Sequence, residues 1–276
     1  MSDAGHFADR LAAAVERSGA PLCVGLDPDP ALMPEGLGVV EFCRGIVDAV
    51  AGLAVAVKPQ TAFFEAQGAP GWAALVDVCA YAREAGLLVI ADAKRGDVPS
   101  TARAYAAAFA PLADAVTVNP YLGYDSLEPF LEHEGLGVLA ILKTSNPGSA
   151  DIQDLPLVDG RPLWQHVAGL LDRWGADRLG TSGLSRVGAV VGATHPEILE
   201  TVRDLLPHAV LLLPGVGAQG GRAEDLTEAF AAGPASALVS ASRSVLYADR
   251  GAGWQEAAAA EAGRLADELR ALAVAG

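Results

Sequence analysis

Lysine is nearly absent. The 276 residues contain three, Lys58, Lys94 and Lys143, although Lys and Arg together number 19. Arginine is therefore the general cation of this chain, and each lysine marks a place where a guanidinium has not been used. Positive charge is scarce altogether. The formal net charge is -15, which argues against a nucleic-acid partner, because such binding rests on Lys and Arg neutralising phosphates. Cys23, Cys43 and Cys79 are odd in number, far apart and form no C-x-x-C. They read as buried reduced thiols. The five histidines show no H-E-x-x-H or other ligand spacing, so no metal is expected. No apolar run reaches the roughly 18 residues of a membrane helix, and the start "MSDAGHFADR" has neither a basic n-region nor an apolar h-region. The expectation is a cytoplasmic protein that binds neither nucleic acid nor membrane.

What the chain does have is repetition. Short apolar runs recur at intervals of about thirty residues: "LCVGL" (22–26), "AVAV" (54–57), "LLVIA" (87–91), "AVTV" (115–118), "GVLAIL" (137–142), "VGAVVG" (187–192), "AVLLL" (209–213) and "SALVS" (236–240). Many are rich in Val, Ile and Leu, as strands buried on both faces should be. Helical patterns lie between them, as in 71–86 and 222–233, and amphipathic helices are expected at both ends. Eight strands alternating with helices predict a parallel sheet, and this length fits a closed (β/α)8 barrel, an α/β fold, better than an open doubly wound sheet. No linker or low-complexity tract divides the chain, so residues 1–276 are read as one barrel domain. The long irregular stretch is 144–163, after strand five; long loops in compact domains are often functional.

Polar residues follow each apolar run: Asp27, Lys58, Asp92 with Lys94, Asn119, Lys143 with Thr144 and Ser145, Thr194, the glycine-rich "PGVGAQGG" (214–221), and Ser242 with Arg243. In a barrel these positions share the C-terminal rim, where such enzymes carry their chemistry. Strands must end in something polar, which accounts for scattered Asp, Ser and Gly. It does not account for every lysine falling in this set.

The stretch "ADAKRGDVPST" (91–101) places Asp92, Lys94 and Asp97 within six positions. Asp92 and Lys94 are two apart and should point the same way from a strand end. Two carboxylates near Lys94 favour its ammonium, making it a poor nucleophile and a well-held proton donor. Lys58 could add a second ammonium to an alternating array. "PGVGAQGG" contains G-x-G-x-x-G, but a dinucleotide fingerprint belongs at the first strand of a βαβ unit with an acid closing the next strand. Here it follows strand seven, and "SALVSASRS" carries no acid. Glycine-rich backbone after strand seven, with Arg243 after strand eight, fits the usual barrel phosphate site instead. Arg243 would supply the guanidinium fork.

Taken together, "LDPDP", "VKPQTAFFE", "DAKRGDVPST", "TSNPGS", "PGVGAQGG" and "SRS" resemble, in order and over nearly the whole chain, the orotidine 5'-phosphate decarboxylase family, and "DAKRGD" with "KTSNPGS" resembles its longer bacterial branch. The resemblance implies a homodimeric barrel that converts orotidine 5'-phosphate to UMP and CO2, a step of de novo pyrimidine biosynthesis, without metal or cofactor. By matching position it implies a charged tetrad of Lys58, Asp92, Lys94 and Asp97, with Lys94 as proton donor and Asp97 reaching the partner's site. Asp27 and Lys58 would hold ribose hydroxyls, Thr101 would assist across the dimer, and Ser145 would contact the pyrimidine. Gln219 and Arg243 would hold the phosphate, with Pro214 also among the substrate-binding residues. Ser242 departs from the family, where glycine often precedes this arginine. The alternatives are a related Mg-dependent sugar-phosphate barrel lyase, which shares D-x-K-x-x-D, and a non-catalytic nucleotide-binding barrel. The resemblance assigns no role to Lys143.

Overall fold

The computed structural model describes residues 5–216 and 220–275. Eight parallel strands close into a barrel in chain order: β1 (Leu22–Leu26), β2 (Ala56–Pro59), β3 (Leu88–Arg95), β4 (Ala115–Val118), β5 (Gly137–Lys143), β6 (Ser185–Val191), β7 (Ala209–Pro214) and β8 (Ala237–Ala241). The described helices are α1 (Phe7–Ser18), α2 (Val39–Val50), α3 (Thr61–Glu65), α4 (Gly68–Glu84), α5 (Pro99–Phe109), α6 (Glu128–Leu131), α7 (Leu163–Gly175), α8 (Leu199–Leu205), α9 (Arg243–Leu246) and α10 (Trp254–Ala275). The helical pattern at 222–233 forms a 3-10 segment, Ala223–Phe230, rather than an α-helix.

Side chains alternate along a strand, so each strand feeds two cores. Cys23, Ala56, Ile90, Ala115, Leu139 and Leu212 fill the barrel interior together with Phe7 and Leu11 of α1. Their neighbours Leu22, Val24, Val57, Val89, Val116 and Val138 pack outward under the helices. α1 covers the N-terminal end of the barrel. Its Phe7 ring lies against Gly137, the first residue of β5, where a Cβ would stand 2.3 Å from the ring. Below the strands, buried Arg203 donates to the carbonyls of Leu206, Ala209, Ala229 and Ser236. Arg186 does the same for Leu131, His133 and Leu136. Backbone acceptors at that end are thus satisfied without solvent, and the opposite rim is left for chemistry.

Two differences from the sequence reading bear on that rim. β2 starts and ends two residues later than "AVAV", at Ala56 and Pro59, so Lys58 lies inside the strand. β3 runs on through Asp92, Lys94 and Arg95 instead of stopping before them.

Candidate active site

Lys58, Lys94 and Lys143 line one cleft at the C-terminal ends of the strands, with Asp27, Asp92, Ser145, Pro214 and Arg243. Its volume is about 300 Å³, at the lower end of the range for small-molecule sites.

Asp92 is the hub. Its Oδ2 accepts from Lys58 Nζ at 2.6 Å and from Gln60 Nε2 at 3.1 Å. Its Oδ1 accepts from Lys94 Nζ and, at 2.9 Å, from the Thr117 hydroxyl of β4. Burial alone would push the Asp92 carboxyl up, but the charges of Lys58 and Lys94 and their hydrogen bonds outweigh it and hold the group well below the usual carboxylate range. Lys58 is the mirror case. Burial disfavours its ammonium, and the Asp92 carboxylate, with Asp27 beyond it, overrides that and holds it above an ordinary lysine. The alternating array is therefore a buried, ionised pair with a second, half-exposed ammonium at its edge.

Lys94 reaches this array by a route that simple strand alternation does not give. Ala91 pairs with Val116 and Arg95 with Val118, so β3 spends four steps where β4 spends two. Lys94 sits in that bulge at φ +47°, the one non-glycine residue with positive φ among those described. A side chain in the left-handed region costs about 1–2 kcal/mol, and bulges commonly re-aim a side chain beside an active site. Gly96 follows, packed so that a Cβ would lie 2.7 Å from the Asn119 carbonyl oxygen.

Asp27 lies just past β1, and its Oδ1 is buried without a hydrogen-bond partner among the described residues. Its backbone is fixed by Tyr247, whose hydroxyl donates to the Asp27 carbonyl at 2.6 Å and accepts from Asp29 N–H at 2.8 Å. Burial pushes the Tyr247 phenol up to about 12, so it stays a donor. Ser242 fits without disturbing this corner. Its hydroxyl occupies the space a Cβ on Gly25 would fill, 1.8 Å from that position. The glycine that relieves the crowding is in β1, rather than before the arginine. Arg243 begins α9 and is exposed in the cleft; its carbonyl accepts from Tyr247 N–H at 3.2 Å, and its guanidinium makes no hydrogen bond or ion pair among the described residues. Pro214 ends β7, and Gly215 follows at φ +111°. Gln219 and Gly217 lie outside the described residues.

Lys143, the last residue of β5, is buried and gives its ammonium to both oxygens of Asp154, each at 2.7 Å. Asp154 belongs to the long loop after β5. Gln153 of the same loop accepts from Thr144 N–H at 2.9 Å, and His195 Nε2 lies 3.1 Å from the Thr144 carbonyl oxygen. Ser145 is thus carried on an anchored loop. The bare Cα of Gly192 admits it, since a Cβ there would meet Ser145 N at 3.0 Å.

Asp97 and Thr101 are not brought into the cleft of their own chain. Asp97 Oδ1 accepts from the neighbouring Val98 N–H at 2.7 Å, and Thr101 lies in the first turn of α5. Thr117, Gln60, Asp154 and His195 were not singled out in the sequence. A hydroxyl in the otherwise aliphatic "AVTV", and an amide two residues past a strand-end lysine, were the available signals for the first two.

Fold and cleft together define a (β/α)8-barrel enzyme with its charged side chains gathered in one cleft at the strand C-termini. The profile of the "Orotidine 5'-phosphate decarboxylase / HUMPS family" matches residues 20–259. An orotidine 5'-phosphate decarboxylase of Roseiflexus castenholzii is 49% identical over 275 residues, covering 96% of this chain and 98% of the relative. One from Rhodopirellula baltica is 42% identical, with 96% and 99% covered. The solved Leishmania donovani OMP decarboxylase superposes with a TM-score of 0.80 at 36% identity, covering 98% of this chain and all of that one. The chain belongs to the orotidine 5'-phosphate decarboxylase / HUMPS family.

Proposed function

We propose that this protein is a decarboxylase that converts orotidine 5'-phosphate to UMP and CO2 in pyrimidine biosynthesis, with Lys94 as the proton donor and no metal or cofactor. The observation that carries the reading is the Lys58–Asp92–Lys94 array. When the C6–carboxylate bond breaks, its electron pair stays on C6, with no π-acceptor adjacent. The site must stabilise that charge and then protonate it. The Lys94 ammonium does both, first as a fixed positive charge and then as a general acid. Its half-exposed side chain regains the proton from water. Asp92 orients both lysines and sets a negative charge near the substrate carboxylate, favouring its loss.

Binding is assigned to the remaining residues. Asp27, with its unpartnered Oδ1, and Lys58 take ribose hydroxyls. Ser145 contacts the pyrimidine. Gln219 and Arg243 hold the phosphate, with Pro214 beside them among the substrate-binding residues, and Arg243 supplies a fork for the dianion. The protein acts as a cytoplasmic homodimer, each chain folding as one domain, and Asp97 and Thr101 serve the neighbouring chain's cleft. In support, Asp97 does not line its own chain's cleft, and Val98, Tyr121 and Leu122, on the segments leaving β3 and β4, are exposed hydrophobic residues. The test is to follow loss of orotate absorbance when purified protein meets orotidine 5'-phosphate, with and without EDTA. Turnover indifferent to EDTA is expected. No turnover would overturn the activity, and EDTA-sensitive action on a sugar phosphate would point to the metal-dependent lyases instead.

A further inference from the structure

Thr117 is a fully buried residue of β4 whose hydroxyl lies between two atoms of the reactive array. It accepts a hydrogen bond from Lys94 N–H at 3.0 Å and donates one to Asp92 Oδ1 at 2.9 Å. The same Oδ1 receives the Lys94 ammonium. Thr117 also lies between the two β4 residues, Val116 and Val118, that bracket the bulge in β3. The bulge takes Lys94 N–H out of the regular ladder, and a buried N–H must find another acceptor. Thr117 Oγ1 is that acceptor.

Resting on the decarboxylase reading above, we infer that Thr117 is a positioning residue for the proton donor, its hydroxyl coupling the left-handed backbone of Lys94 to the carboxylate that holds the Lys94 ammonium. A hydroxyl suits this place because it accepts from an amide and donates to a carboxylate at once. Backbone and side chain of Lys94 are then referenced to one oxygen atom. Valine has the same shape but offers neither bond. In Thr117→Val the N–H of Lys94 is stranded, nothing opposes relaxation of φ to negative values, and the ammonium leaves its aim. Ribose and phosphate contacts lie on other strands, so binding of substrate is preserved while the reacting step suffers.

The experiment compares wild type with Thr117→Val, Thr117→Ala and Thr117→Ser, each checked for folding by its melting temperature. Thr117→Val and Thr117→Ala are expected to lose about 10- to 100-fold in kcat, the worth of a hydrogen bond to a charged group. KM and the Kd for UMP should stay within about threefold. Thr117→Ser keeps the hydroxyl and should retain most of kcat. If valine unfolds the chain, the serine and alanine variants still differ in the hydroxyl alone. A crystal structure of Thr117→Val, or of Thr117→Ala if valine does not fold, reads the same coupling without substrate, and Lys94 should leave the left-handed region. Wild-type kcat in Thr117→Val, equal losses in the serine and alanine variants, a loss confined to KM, or an unmoved Lys94 backbone would each overturn the inference. Failure of the wild-type protein to decarboxylate orotidine 5'-phosphate would instead strike the activity assignment, leaving the crystallographic arm to decide the coupling.

Discussion

Replacing Lys94 by alanine and by glycine separates its chemistry from its backbone. Both changes remove the ammonium and its contact with Asp92. They differ at φ +47°, where alanine pays the left-handed penalty of about 1–2 kcal/mol and glycine does not. Glycine loses about 0.4–1 kcal/mol relative to alanine through the greater freedom of its unfolded chain. The balance favours glycine by about 0.5–1 kcal/mol. Melting entropy scales with length, and for a chain of 276 residues this corresponds to a melting temperature about 1–2 °C higher for Lys94→Gly than for Lys94→Ala. Side-by-side calorimetry reads that difference. In turnover the two should be alike, each down by about 10⁴-fold or more from the joint loss of a general acid and a fixed charge. UMP binding should survive within about tenfold. An alanine variant that melts at or above the glycine variant would show that Lys94 is not held in the left-handed region. Near-normal turnover in either would remove it from the reaction.

Arg243→Ala should damage turnover of the phosphorylated substrate strongly and of the phosphate-free nucleoside hardly at all, and added phosphite should rescue the nucleoside reaction more in wild type than in the variant; equal losses on both substrates would take Arg243 away from the phosphate. Asp92→Asn leaves Lys58 buried without its counter-charge and should cost about 3–5 kcal/mol at neutral pH. Because the Asp92 carboxyl is held below its ordinary value of 3.8, its stabilising effect is complete above that value and is lost as pH falls toward the lowered one; the gap in melting temperature between wild type and variant should therefore narrow below about pH 4, and a gap constant from neutral to acid would refute the pairing. Subunit exchange between inactive Lys94→Ala and Asp97→Ala dimers should restore activity in about one quarter of the sites, since half the dimers are mixed and each has one intact site; no recovery despite measured exchange would return Asp97 to its own chain's cleft.

The barrel was legible because strands buried on both faces leave runs of Val, Ile, Leu and Ala, and every one of the eight runs overlaps a strand. The edges were less so. "AVAV" carries the right composition, yet β2 begins at Ala56: Ala54 N–H still closes the turn on Val50 of α2, and Val55 makes the first bonds to Leu22 and Leu88 just ahead of the strand. The members of the array could be picked out, because charge at the end of an apolar strand is conspicuous. Its geometry could not. The bulge at Lys94 depends on how β3 and β4 pair, and pairing register is a property of two strands, not of one. Thr117 is a good strand former, so its hydroxyl in "AVTV" stands out in the sequence without a role that can be read until that pairing is known. Asp154 and His195 were hidden for a similar reason: the loop that brings Asp154 to Lys143 has no periodicity to read.

The distribution of cations explains why the site is built this way. At the N-terminal end of the barrel Arg203 and Arg186 are buried against backbone carbonyls, four and three respectively. A planar fork of five donors suits that task, and a group that hardly deprotonates keeps its charge there. Lys143 and Lys58 are buried at the other end, each against a single carboxylate, and the half-exposed Lys94 shares Asp92 with Lys58. Two ammonium groups converging on one carboxylate repel one another, and a positive φ adds strain. Such an arrangement lasts only where surrounding structure over-determines it. The arginine ties at the base, the two-layered core between, and the hydroxyl of Thr117 at the bulge supply that rigidity. The cleft can then hold a cation able to part with a proton where an arginine would be more stable and inert.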